Sequence, residues 1–145
     1  MIYSKKSGLS LPEMLMVLSV MTIILYIIVP RIMKYTDKIN EGKAKLVLAT
    51  LQEAVSQYEF DLGHPPSRQD GGLNALITRP GRGAEEWHGP YVTGQEEVPK
   101  DPWNNDYHYN VAPNLRFKKY YKKYEIFSYG SNPEEDISNK LRVGA

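Results

Sequence analysis

Pro12 and Glu13 stand side by side at the mouth of Met14 to Val29, a sixteen-residue run without charge whose clearly polar members are Ser19 and Thr22. A carboxylate in that place has one chemistry open to it. Ionised in hydrocarbon, Glu13 costs roughly several kcal/mol unless it meets a cation, and no Lys or Arg lies within one helical turn of it. A cut between Gly8 and Leu9 would supply the partner, because it frees an α-amine one turn away, with a reference pKa of about 8 and therefore mostly cationic. The same cut relieves Pro12, which in an unbroken helix has no N–H for the Gly8 carbonyl and collides with it. With Gly8 gone, Leu9 to Pro12 become the first four residues, whose N–H groups have no helical acceptor anyway. Before the cut, Pro12 disfavours helical geometry at Leu11, which would hold the preceding residues extended enough for a protease.

Elsewhere, reactive groups are sparse. There is no cysteine, which removes disulfides, thiolate zinc sites and thiol nucleophiles together. His64, His88 and His108 are scattered without metal-ligand spacing, and neither a nucleophile elbow nor a phosphate-cradling glycine loop is present. No enzyme is expected. Asp101, next to Pro102 and Trp103, reads as the cap of a turn, with Trp103 filling the core.

These residues need elements to position them. At 145 residues, 41% hydrophobic and 24% charged, the chain suits one modest domain plus one special segment. Eighteen basic and seventeen acidic side chains leave a net charge of +1, so charged recognition must be local. Leu9 to Pro30 supplies the roughly 20 apolar residues that a bilayer asks of a helix. A secretory signal peptide would end in small residues, whereas Pro30-Arg31-Ile32-Met33-Lys34 follows here. A core helix would need more apolar cover than the rest of the chain holds. A single-pass anchor remains, its orientation unsettled, since Lys5 and Lys6 precede it while Arg31, Lys34, Lys38, Lys43 and Lys45 follow.

Pro30 removes the bond to the Tyr26 carbonyl and costs roughly 3 kcal/mol unless the helix bends or opens. Beyond it Ala44, Leu48, Leu51, Val55, Tyr58 and Leu62 recur at three and four residues, marking an apolar stripe. One helix from Leu9 to about Leu62, ended by Pro65 and Pro66, would run about 80 Å at roughly 1.5 Å per residue. Its second half must pack on something. Leu73 to Ile77 reads as a short helix and Pro80 to Gly94 as an irregular loop. Asp106 to Val111 and Tyr124 to Tyr129 read as alternating strands, with a tight turn at Asn104-Asn105. The expected fold class is α+β: a long amino-terminal helix, half membrane and half amphipathic, packed on a small carboxy-terminal antiparallel sheet.

A short basic leader ending in Gly8, then Leu-Ser-Leu-Pro-Glu and an apolar helix, resembles the prepilin signature of type IV pilins and pseudopilins, G-F-T-L-I-E. Leu9 stands for the usual aromatic and Pro12 for the usual aliphatic residue, and a proline at the distance of Pro30 is common in that family. DLGHPPSRQDGGLNAL from Asp61 and VPKDPWNNDYHY from Val98 narrow the resemblance to major pseudopilins of the type II secretion system, with a pilin-like fold. The resemblance implies a leader, residues 1–8, that faces the cytoplasm and is cut after Gly8 by prepilin peptidase, which methylates the Leu9 amine. It implies an inner-membrane and filament-core helix, residues 9–30, in which Glu13 docks against a neighbouring subunit's amino terminus and Pro30 allows for packing. It also implies a periplasmic globular domain, residues 31–145. The partners implied are other copies of the chain, minor pseudopilins, the inner-membrane secretion platform and its assembly ATPase. A pilin of a type IV pilus or DNA-uptake machine is the nearest alternative, and a membrane-tethered module that never assembles is a more distant one.

Two segments stay open. Major pseudopilins carry calcium in the loop after the last strand, here Gly130 to Ile137, which implies Asn132 and Asp136 as ligands. Asn132 replaces the family's usual aspartate and the acidic middle is shortened to Pro133-Glu134-Glu135, so a proline-stiffened solvated turn competes with a calcium site. RFKKYYKKYE, Arg116 to Glu125, interleaves five basic with four aromatic residues and is unlike the usual family sequence. Such a mixture can grip single-stranded nucleic acid, but an exposed hairpin whose lysines deter edge pairing is preferred at this net charge. Contact with another subunit or with cargo is the third reading.

Overall fold

The computed structural model describes residues 8–131 and 141–145. The chain divides into two compact units, Met1–Lys38 and Ile39–Ala145, and helix α1, Leu11–Leu62, contributes to both.

In the first unit the large apolar side chains of residues 11–29 are all exposed, and this stretch is long and apolar enough to cross a membrane. Its polar side chains are turned inward on the helix: the Ser19 and Thr22 hydroxyls donate to the Leu15 and Leu18 carbonyls at 2.7 and 2.8 Å. Backbone acceptors one turn back thus satisfy groups that lipid could not. Pro30 lies inside α1, which continues past it.

In the second unit the helical stripe closes a core. Ala44, Leu48, Leu51, Ala54, Val55 and Tyr58 are buried against Leu76, Val92, Tyr107, Tyr124, Ile126 and Leu141, with Leu62 partly buried at the edge. Strands β1 (His108–Val111), β2 (Tyr124–Phe127) and β3 (Arg142–Gly144) form an antiparallel sheet in that order. Tyr109 pairs with Ile126, and Ile126 with Val143. The expected strands are shorter than their sequence patterns, and β3, three residues long, carries too little pattern to be foreseen. Alternation fails in β2, whose four residues are all buried. Tyr124 and Ile126 join the helix-side core, while Phe127 lies against Phe117, His108 and Tyr129.

The short helix expected over Leu73 to Ile77 is a 3-10 helix, Gly72–Leu76, with Ile77 as its C-cap. A second 3-10 helix, Arg68–Asp70, precedes it, closed by a reciprocal Ser67–Asp70 cap and by Gly71 at φ 100°, where a side chain would be strained.

The core is rich in tyrosine, which sets a response to alkali. Burial pushes the Tyr58 and Tyr107 phenols up to about 12, helped by the Asp70 and Asp101 charges respectively, from an ordinary 10.0. Below pH 10 folded and unfolded chains both keep these protons. Above it only the unfolded chain releases them, so stability falls by about 1.4 kcal/mol per pH unit for each tyrosine between pH 10 and 12. Urea midpoints measured across that window should drop steadily, and a flat profile would contradict the burial of these rings.

Candidate functional site

The entrance of α1 is built by Ser10. Its carbonyl accepts the Met14 N–H at 3.1 Å, while its own N–H and hydroxyl donate to Glu13 Oε2 at 2.7 and 2.8 Å. Ser10 is thus the N-cap and Glu13 the third helical residue, the two ends of a capping arrangement. This corrects two expectations. Glu13 does not lack a partner in the uncut chain, because Ser10 supplies two donors. Nor does Pro12 collide with Gly8, because α1 starts at Leu11 and Gly8 lies outside it. Pro12 sits in the first turn, where a missing N–H removes no bond. The spacing Ser-x-x-Glu was visible in the sequence, and the same four residues that read as a paradox are a helix start. Gly8 and Leu9 are exposed and non-helical.

The calcium candidates Asn132 and Asp136 lie outside the described residues. At the base of their loop, buried Asp101 acts as the expected cap. Its Oδ1 accepts the Trp103 and Asn105 N–H groups at 3.0 and 2.7 Å across left-handed Asn104, and its Oδ2 accepts the Ser128 hydroxyl at 2.6 Å. Ser128 Oγ in turn accepts the Gly130 N–H at 3.0 Å. Trp103 packs against the core, half-buried. Among the described residues no group of three or more His, Cys, Asp or Glu side chains is placed to hold a metal. His64 bonds the Pro65 carbonyl, His88 sits 3.4 Å from Asp61, and His108 stacks on Phe127.

The basic-aromatic stretch is the long connection of a hairpin, joining β1 to antiparallel β2 and entering β2 at Tyr124. Glu125, fully buried on β2, reaches into it. Its carboxylate accepts the Arg116 and Phe117 N–H groups, the latter at 2.7 Å, and the Asn110 side-chain amide at 2.8 Å. At the far end the Lys122 and Lys123 N–H groups donate to the Ala145 main-chain oxygen at 2.9 and 2.6 Å, and Lys123 Nζ meets Glu59 at 2.5 Å. Arg142 lies beneath, 4.6 Å from the Phe117 ring centre and 4.1 Å from that of Tyr120. Sequence reasoning missed Glu125, although a lone acid closing a run of five bases was a signal.

Residues 31–142 match the family model described as type II secretion system (T2SS), protein G. The type II secretion system core protein G of Vibrio cholerae is 32% identical over 133 residues, covering 90% of this chain and 84% of that protein. That of Klebsiella michiganensis is 30% identical over 136 residues, covering 91% of each. A crystal structure of the major pseudopilin from the type 2 secretion system of enterohaemorrhagic Escherichia coli matches with a TM-score of 0.50 at 24% identity, over 77% of this chain and 90% of that one. It shares the fold: a long amino-terminal helix on a small antiparallel sheet.

Proposed function

The chain belongs to the type II secretion system protein G family, and from that premise we propose how it works as a structural subunit of the secretion pseudopilus. It is not an enzyme. The observation that carries the proposal is the uncovered helix: residues 11–29 present apolar side chains on every side, a surface that water disfavours and only lipid or like helices can cover. The precursor sits in the inner membrane with its amino terminus in the cytoplasm and residues 31–145 in the periplasm. Prepilin peptidase cuts the bond after Gly8 and methylates the Leu9 amine. Glu13 then exchanges its Ser10 donors for the amine of a neighbouring subunit as the helix leaves lipid for the filament, and Pro30 gives the helix room to adjust as it packs. A buried charge pair used in this way fixes alignment more than it adds stability.

Growth from the base, driven by the membrane platform and its assembly ATPase and joined by minor pseudopilins, helps push cargo through the outer membrane. Amino-terminal sequencing of chain recovered from cells that carry the secretion machinery should begin at Leu9, and cross-linking should give a ladder of multimers. An intact Met1 with a persistent monomer would overturn the proposal.

A further inference from the structure

The basic loop between β1 and β2 has no role in the processing or the helix packing described above, yet Glu125, Ala145 and Arg142 brace it. Residues 113–123 hold five basic and no acidic side chains. Three of the five are engaged within the chain: Lys123 with Glu59, Arg116 with the Tyr129 hydroxyl at 3.1 Å, and Lys119 over the Tyr120 ring, 5.7 Å from its centre. Lys118, Lys119 and Lys122 are exposed, and among the described residues they form no ion pair.

A segment of opposite sign lies elsewhere on the same unit. Residues 83–99 hold four glutamates and neither Lys nor Arg. Glu85, Glu86, Glu96 and Glu97 are all exposed and, among the described residues, likewise form no ion pair.

We propose that residues 113–123 of one copy dock on residues 83–99 of a second copy, lysine against glutamate. The contact rests on the filament role proposed above and adds a specific lateral or axial bond to it. Two different patches of opposite sign on one subunit make a heterologous contact, in which each copy offers its loop to one neighbour and its acidic segment to another. Such contacts propagate into open helical polymers when the rotation between copies does not close a ring. Bracing suits this use. Glu125, Ala145 and Arg142 hold the loop's two ends and its underside, so little ordering remains to be done on docking. Nucleic acid fits less well, because the rings that would stack on bases are engaged: Phe117 lies against Phe127 and Arg142, and Tyr120 has Arg142 over one face.

The test uses the full chain in cells that carry the assembly machinery, with sheared filament as the readout. The triple change Lys118→Glu, Lys119→Glu, Lys122→Glu should lower filament yield at least ten-fold. So should the set Glu85→Lys, Glu86→Lys, Glu96→Lys, Glu97→Lys. Combining the two sets restores the complementarity and should return most of the yield, a rescue that misfolding of either variant could not produce. Filaments indifferent to both sets, or a combined variant worse than either, would overturn the contact while leaving the filament role intact. A wild-type chain that keeps Met1 and stays monomeric would remove both. Salt-sensitive binding of a single-stranded oligonucleotide by the detergent-solubilised chain, lost in the triple lysine variant, would assign the loop to nucleic acid instead.

Discussion

Glu125→Ala should lower the melting temperature of the globular unit by about 12 °C or more, the largest stability loss expected of any single substitution on the sheet. The side chain is fully buried and its carboxylate collects three N–H donors. Removing it takes the acceptor from the part-buried Arg116 and Phe117 amides and the Asn110 side chain and leaves a void on β2. Charge-assisted bonds of this kind contribute about 1.5–3 kcal/mol each, and losing three of them together with the buried side chain brings the net loss to about 3–5 kcal/mol. For a unit of this size each kcal/mol moves the midpoint by about 4–8 °C. Glu125→Gln should fall between, because one oxygen can still accept while the new amide faces an N–H donor. Calorimetry of the full chain in detergent measures both. A shift below about 4 °C for the alanine variant would mean that the carboxylate does not organise the loop. The same variant should be cut faster by trypsin at Lys118 and Lys119, since losing the brace frees the loop.

Much of the architecture was written in the sequence, and the parts that were not have identifiable reasons. Ala44 to Leu62 carry a helical period because one side of α1 meets the core, and that stripe named most of the helix's buried residues before any coordinates. Asp101 was legible as a cap because an acid three residues before a tight turn has few other uses. β2 was half legible. Its alternation reflected a strand with one wet face, but the loop folds back over that face, and burial by a distant segment leaves no local period. β3 is three residues long and is specified by its partner strand rather than by its own composition. The amino terminus is the instructive case: attention to the cost of an acid in hydrocarbon obscured the local bond that a serine three residues earlier could make.

That local bond sharpens what Glu13 is for, and a set of three substitutions separates its two roles. Ser10→Ala removes the side-chain donor at the helix start and, like the loss of other N-caps, should cost about 1 kcal/mol, with filaments still forming at a reduced level. Glu13→Gln keeps an oxygen for the Ser10 N–H and hydroxyl but carries no charge. Glu13→Ala keeps neither. If the carboxylate served only as a cap, the glutamine variant would assemble like the wild type. Neutral donors cannot offset the charge itself, however, and a carboxylate leaving water for a packed bundle of helices needs a cation beside it. Both Glu13 variants are therefore expected to lose filament incorporation by about a hundred-fold or more while still being cut after Gly8. The amine of Leu9 would be left without its counter-charge among apolar helices. Filament yield and amino-terminal sequencing on the same three variants check this directly, and a glutamine variant that polymerises normally would sink the exchange of Ser10 for a neighbour's amine.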